Sequence, residues 1–384
     1  MATKTGNPIV DTLSYLKLSC LMLFSMFILT ILGTLYQVDN GLYQAKHVFF
    51  SSWFIWKGGV PIFLGGLSCM TILTINMLVG GLIRLQITQR NFGVAIIHLG
   101  TALLLGSGMV KVLTADEGNL TLMEGQKADY FTSLFKWEIA IWEAGKTGPG
   151  SAVIIGDALL TDLAGDESRT IKSAFLPFDL VLSGFVRNCR IEPKGPMWQS
   201  EGPPVDGYGI LKMRPNKESE RDVAGMHVDA GGKKGLLWGF QREPMSVEVD
   251  GRTFLVDMRH ERYDMPFTIR LEKFMKEEHP GMTMAKAYRS DVTQIDAKGN
   301  EEKIRIQMNE PLRSGNLVLF QSSFGSQAGG TYSVFSVVDN VSDKWPEYSL
   351  WVVTLGMLLT FVRSLLKTID KQSKARARAA GVSS

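Results

Sequence analysis

The sequence predicts a membrane protein: four transmembrane helices plus a large extracytoplasmic, mainly antiparallel β-domain of sandwich or barrel-like form. Three observations predict it. Apolar residues gather into four runs of bilayer-spanning length, at 16–36, 58–80, 92–110 and 347–365, each nearly free of charge; a helix needs roughly 20 such residues to cross about 30 Å of hydrocarbon. Between the third and fourth runs, residues 111–345 have ordinary soluble composition and are long enough for a complete folded domain. Within that stretch, short segments alternate apolar and polar residues with a period near two, punctuated by Gly, Pro, Asn and Asp.

Taken in order, residues 1–15 read as an N-terminal tail and 16–110 as a three-helix region. A β-domain follows over 111–345, then a fourth helix over 346–366 and a basic tail over 367–384. The first run is long and lacks a small-residue cleavage site behind it, so it reads as an uncleaved anchor. The loop 37–57 holds Phe49, Phe50, Trp53, Phe54 and Trp56, the composition of an interfacial aromatic belt. Lys4 and Lys17, then Arg84 and Arg90, then Lys367, Lys371, Lys374, Arg376 and Arg378 fall on one side if four helices alternate. Positive charge marks the cytoplasm, so both termini are expected inside and the β-domain outside, in a multi-pass protein of a bacterial inner membrane. The net charge of +3 owes most to the tail, and no basic stripe suggests nucleic acid.

Inside the domain, KWEIAIWEAG (136–145), PFDLVLSGF (177–185), MSVEVDGRTFLVDMR (245–259), KIRIQMN (303–309) and TYSVFSVVD (331–339) carry the two-residue period. Asp250–Gly251 is a hairpin-turn dipeptide. Residues 200–243, rich in Gly, Pro and charge, read as an insertion or a long mobile loop. One echo is visible: 176–193 and 265–282 share Pro-Phe-x-apolar-x-Leu-x-x-Phe, which points to a duplicated strand unit.

Chemistry-bearing groupings are few. Cys20 and Cys69 lie within apolar runs and Cys189 stands alone in the outer domain. No C-x-x-C or C-x-x-C-H occurs, so the chain is neither thioredoxin-like nor itself a c-type cytochrome. His260, Glu261 and Asp264 read as a solvated polar turn, since strand neighbours point to opposite faces. His227 and His279 lack a second ligand at metal spacing, and His47 reads as a wet interfacial residue. A phosphate loop, a nucleophile elbow and H-E-x-x-H are all absent, which argues against a stand-alone hydrolase or transferase.

His98 differs from these. It sits in FGVAIIHLGTALLLGSGMV, about 12 Å from the Arg90 end at 1.5 Å per residue. Intramembrane ionisable groups usually face a partner or a cavity. Ala95, Ala102 and Gly106 share its helical side by their spacing, a small-residue strip where another helix or a flat ligand can come close. The imidazole could serve packing alone, or act as an axial ligand of haem b. No second histidine lies within the four runs, so such a site would be shared with another subunit, completed by water, or left with this ligand alone.

Several motifs, in order, resemble the ResB (CcsB) family: ILGTLYQ, FFSSWF, IIHLG, LPFDLVLSGF, MPFTIRLEKF, AYRSDV, MNEPLRSGNLVLFQSSFG and the closing helix with its basic tail. The resemblance covers most of the chain, least over 111–170 and 200–243. It implies system II cytochrome c biogenesis with a CcsA/ResC-type membrane partner that bears a tryptophan-rich haem segment. Together the two would carry haem outward and attach it covalently to apocytochrome c, a shared lyase activity rather than one of this chain alone. The family's membrane histidine corresponds to His98, a haem ligand within the bilayer. An outward cysteine that meets thioredoxin-like reductants would correspond to Cys189, whose pKa Arg187 and Arg190 could lower, although a lone buried core cysteine is the favoured reading of that position. The rival readings are a haem-free ResB-like scaffold and a haem-carrying quinone redox subunit.

Overall fold

The computed structural model describes residues 7–83, 87–88, 91–146, 151–165, 167–195, 201–281, 285–327 and 330–379. Lys4, Arg84 and Arg90 lie outside them. The chain divides into two compact units: Met1–Gln37, Gln44–Ala115 and Asn340–Ser384 form one, and Val38–Tyr43 with Asp116–Asp339 the other.

The first unit is helical: α1 (Pro8–Leu13), α2 (Leu16–Ala45), α3 (Gly66–Leu78), α4 (Phe92–Thr114) and α5 (Trp345–Ala379). Three stretches are long and apolar enough to cross a membrane: Leu16–Phe50, Phe92–Thr114 and Trp345–Arg376. The last outruns its expected end at 366, so the basic tail continues α5 as far as Ala379.

The four-span expectation is not confirmed at 58–80. Its first third is a hairpin, β1 (Phe54–Lys57) against β2 (Val60–Leu64). Gly58 and Gly59 turn it with φ of 59° and 78°, a conformation adjacent glycines adopt without penalty. Helix α3 starts only at Gly66, and its apolar stretch, Gly66–Gly81, falls in the shorter class. Average hydropathy does not register that a Gly-Gly pair followed by Pro61 favours a turn over a helix. The hairpin exposes Phe54, Trp56, Val60 and Ile62, while Phe49 is buried in the helical core beside Met22, Leu29 and Leu73.

Helices α4 and α5 meet along small residues. Gly93 faces Gly356 and Thr360, and Gly100 faces Val353 and Ser349. Ser349 Oγ donates to the Gly100 carbonyl at 2.7 Å, and Ser342 Oγ to that of Ser107 at 3.0 Å. Residues 93, 100 and 107 recur every seven positions, so one side of α4 lets backbones approach closely enough for hydroxyl–carbonyl bonds. Helix pairs in lipid depend on such contacts because hydrocarbon supplies no hydrophobic drive.

The second unit is antiparallel throughout. Its strands are β3 (Asp116–Met123), β4 (Lys127–Glu143), β5 (Ala152–Ile155), β6 (Ser168–Ile171), β7 (Leu180–Val186), β8 (Cys189–Pro193), β9 (Glu201–Val205), β10 (Tyr208–Lys212) and β11 (Gly225–Ala230). They continue as β12 (Lys233–Trp238), β13 (Met245–Val249), β14 (Arg252–Glu278), β15 (Ala285–Ile295), β16 (Glu301–Gln307), β17 (Leu312–Ser314), β18 (Leu317–Gln327) and β19 (Gly330–Asp339). The expected turn at Asp250–Gly251 joins β13 to β14, with φ of 54° and 74°.

Two cores share this unit. In the first, the sheet β12-β11-β7-β6 stacks on parts of β4, β5, β13 and β14 around Trp137, Leu180, Met226 and Val256. In the second, the order β16-β15-β14-β4-β3-β19-β18-β17 curls into a nearly closed barrel around Phe131, Ile269, Leu319 and Phe335. Its end strands β16 and β17 are consecutive in the chain, joined through the turn at the Gln307–Glu310 bridge. Ser290, Gln321 and Ser333 bond to one another inside at 2.7–2.9 Å, which satisfies polar atoms that burial would otherwise penalise.

Strand β14 serves both cores. Phe254, Val256 and Met258 are buried in the first, Met265, Phe267, Ile269 and Leu271 in the second, so the buried positions change from even to odd. Its partner β4 changes with it. Between the pairs His260–Trp137 and Arg262–Thr132, β4 takes five steps against two on β14. An odd excess reverses the face of β4, and each strand then turns one face to each core.

The Pro-Phe echo has a structural counterpart. Phe178, Leu180, Leu182 and Phe185 are buried in the first core; Phe267, Ile269 and Leu271 lie in the second, with Phe274 buried beyond them. Both series step by two, then by three, where the register shifts. In both, the Pro-Phe strand leads a run of antiparallel neighbours, β7-β11-β12 and β14-β15-β16. The expectation of a loop over 200–243 is therefore corrected. Strands β11 and β12 are core, and what the first copy holds in addition is the sheet β8-β10-β9. Gly and Pro there shape turns between short strands.

Glu138, 2% exposed, accepts from Arg259 Nε at 2.8 Å and from the Arg262 amide at 3.3 Å. Removing one partner of a buried pair strands the other. Glu138→Ala is expected to cost about 3 kcal/mol, read as a lowered midpoint in denaturation of the full chain followed by tryptophan fluorescence; an unchanged midpoint would show the pair to be dispensable.

Candidate functional site

The helical unit holds His98 in the second turn of α4. Its Nδ1 lies 2.8 Å from the Val94 carbonyl one turn back. That contact assigns the proton to Nδ1, which donates, and leaves the Nε2 lone pair without a partner among the described residues. One face of the half-buried ring lies on Gly81, just beyond α3, where a Cβ would stand 2.6 Å from the ring. Only glycine fits there.

Ala95 and Ala102, at 5% and 6% exposure, are buried, whereas the Cβ position of Gly106 faces open space. The close approach to α5 runs along Gly93 and Gly100 instead. Sequence reasoning missed that seam, although its seven-residue spacing was readable. It also missed Gly81 and the buried Asn76, whose amide donates to the Leu13 and Tyr15 carbonyls at 2.6 and 3.1 Å.

An axial haem ligand must be a neutral imidazole with one nitrogen held and the other open. The geometry of His98 meets the second half of that requirement: Nδ1 is held and Nε2 has no partner among the described residues. Among the described residues no group of three His, Cys, Asp or Glu could hold a metal ion.

Cys189 is a core residue. It is 2% exposed, packed with Val186 and Ile210, and its Sγ lies against Gly225. Burial pushes its thiol up to about 12. The expected help from Arg187 does not arise: that guanidinium bonds the Phe135 carbonyl at 3.2 Å and pairs with Asp157 at 3.7 Å.

The segment His260–Asp264, expected as a solvated turn, lies mid-strand in β14. His260 stacks on Trp137 with centroids 4.0 Å apart, and burial lowers its pKa. Burial raises Glu261. Burial alone would lower Lys136, but its hydrogen bonds to Tyr263 and Asp116 outweigh that and raise it, while burial drives Tyr263 up to about 12. These groups fill the seam between the two cores, where β4 leaves its ladder. His227 is held by the Pro203 carbonyl at 3.0 Å and pressed by Gly184 and Gly202; burial lowers it too. His47 is exposed.

The fold and these residues define a membrane-associated protein with a two-core β-unit and a histidine, His98, set in an apolar helix. Residues 229–356 match the ResB-like family, bearing out the resemblance carried by MPFTIRLEKF, AYRSDV and MNEPLRSGNLVLFQSSFG. The match runs from β11 into α5, and at the level of the family it fits cytochrome c biogenesis. His98 and Cys189 lie outside the matched residues. No curated protein matches the chain.

Two outcomes follow from the burial. Cys189 should resist maleimide at neutral pH in the folded chain and react fully on denaturation; rapid labelling of the native protein would restore it as a redox candidate. His227 and His260 should titrate below 6.5 in histidine NMR spectra. The unfolded chain then binds protons first as pH falls, so stability should drop between about pH 7.5 and 5.5, with a shallower slope in His260→Phe.

Proposed function

We propose that the chain is a subunit of system II cytochrome c biogenesis. With a CcsA/ResC-type membrane partner it takes part in haem transport across the membrane and in covalent haem attachment to apocytochrome c. The observation that carries this reading is His98: its Nδ1 is tied to Val94 and its Nε2 left open. Haem b, as transient cargo, would receive one axial nitrogen here and its second from the partner. The motif resemblance and the family match over 229–356 support the same assignment.

In this reading the β-unit stands outside the cytoplasm and docks apocytochrome c or the partner's outer loops. That orientation requires α3 to cross the bilayer despite its length. Cys189 is left out of the mechanism, because a buried thiol offers a thioredoxin-like reductant no access. The packing of Gly81 on the imidazole favours a second reading, in which His98 locks α4 to α3 and the chain is a haem-free scaffold.

The two readings separate in one experiment: the chain is purified with and without its partner, and haem spectra and covalent cytochrome c output are recorded for wild type and His98→Ala. A ligand role predicts loss of most bound haem from the complex, a fall of ten-fold or more in output, and partial recovery with added imidazole. Full haem and full output after the substitution would leave the scaffold.

A further inference from the structure

We propose that the groove where α5 outruns the beginning of α4 binds the headgroup of an anionic phospholipid. The groove follows from the seam between the two helices. Gly93 in the first turn of α4 touches Gly356 and Thr360, and α5 then continues to Ala379 after α4 has ended as a neighbour. The wedge left open holds about 980 Å³.

Its walls are apolar, formed by Phe92, Leu359, Val362 and Leu366, and Arg363 and Lys367 stand in it one turn apart. Neither cation has an ion-pair partner among the described residues, whereas Lys374 further along is neutralised by Asp370 at 2.8 Å. The start of α4 adds to the positive field. Asn91 provides no side-chain cap there; its Oδ1 accepts instead from the Thr88 amide and hydroxyl at 2.7 and 3.1 Å. A helix N-terminus without a cap favours an anion.

The occupant follows from that combination. Phe92, Leu358 and Leu366 are 52%, 56% and 61% exposed on helices apolar enough to cross a membrane, so acyl chains already lie along these walls in a bilayer. A free phosphate would leave them unfilled. A choline headgroup would place its ammonium beside Arg363 and Lys367. A phosphatidylglycerol-type headgroup sets its phosphate between the two cations while its chains follow the apolar wall, the arrangement by which basic pockets between membrane helices recognise anionic lipids.

Spin-labelled phosphatidylglycerol and phosphatidylcholine, each at trace level, report the motionally restricted lipid around the full chain in phosphatidylcholine vesicles. Each surface cation is expected to contribute about five-fold. The wild type should therefore select phosphatidylglycerol by ten-fold or more, and Arg363→Gln/Lys367→Gln should lose most of that preference with unchanged helix content. Lys374→Gln, outside the groove, should keep it. Inorganic phosphate at millimolar concentration should not displace the labelled lipid. The proposal is overturned by absence of selectivity in the wild type, by an unchanged preference in the double variant, by an equal loss in Lys374→Gln, or by displacement with phosphate.

Discussion

Between Thr132 and Trp137 the strand β4 leaves its ladder with β14, and Ser133 Oγ accepts the amides of Phe135 and Lys136 at 3.2 and 3.1 Å to hold the detour in place. The excess of residues is odd. With a side-chain period of two, an odd excess turns the next segment over, and β4 thereby offers Phe131 to one core and Trp137, Ile139 and Ile141 to another. Strand β14 makes the same exchange with even positions feeding one core and odd positions the other, and it carries its own excess over β4 between the pairs Asp264–Tyr130 and Ile269–Ala128. Both halves of the β-unit hang on this ladder. An even excess would bury one half's apolar face and expose the other's.

The detour also accounts for where the charges lie. A strand that changes faces cannot keep an unbroken apolar side, and the seam is occupied by groups that satisfy one another: Glu138 with Arg259, Lys136 with Asp116 at 3.1 Å, and Asp157 with Arg187 and the Trp137 amide. Hydrogen bonds raise the Lys136 pKa and burial shifts the neighbouring His260, Glu261 and Tyr263, yet each cation has a carboxylate or carbonyl partner within the seam. Perturbed groups often mark active sites, but ion-pair networks that join two cores perturb them equally well. A structural network is the economical account of this one.

How much was legible depended on whether the governing interaction was local in the chain. The period of two in PFDLVLSGF and MPFTIRLEKF reported burial correctly, since alternate residues of a strand meet alternate faces wherever it pairs. The Asp250–Gly251 turn was equally local. By contrast, the hairpin over 54–64 was hidden inside an apolar run, because Gly58, Gly59 and Pro61 act through backbone geometry rather than hydropathy. The composition of 200–243 suggested a loose loop, but His227 and Val228 find partners on β7, more than forty residues away. At Cys189 the core reading holds over the redox one: Arg187 and Arg190 flank it in sequence, while Val186, Ile210 and Gly225 surround its sulfur.

The histidines show what distinguishes a candidate ligand from a structural ring. His227 spends Nε2 on the Pro203 carbonyl and is pressed between two glycines. His260 stacks on an indole and keeps Nδ1 buried without a partner, a cost that the packing with Trp137 must offset. His47 stands exposed beside the aromatic hairpin. His98 combines three properties that none of the others shares: a held Nδ1, an open Nε2 and a place in an apolar helix where water competes least. An imidazole in hydrocarbon that lacks a bonded Nε2 is unfinished by the rule that buried polar groups find partners. Gly81 covers its face, so packing accounts for the ring's position, while Nε2 has no partner among the described residues.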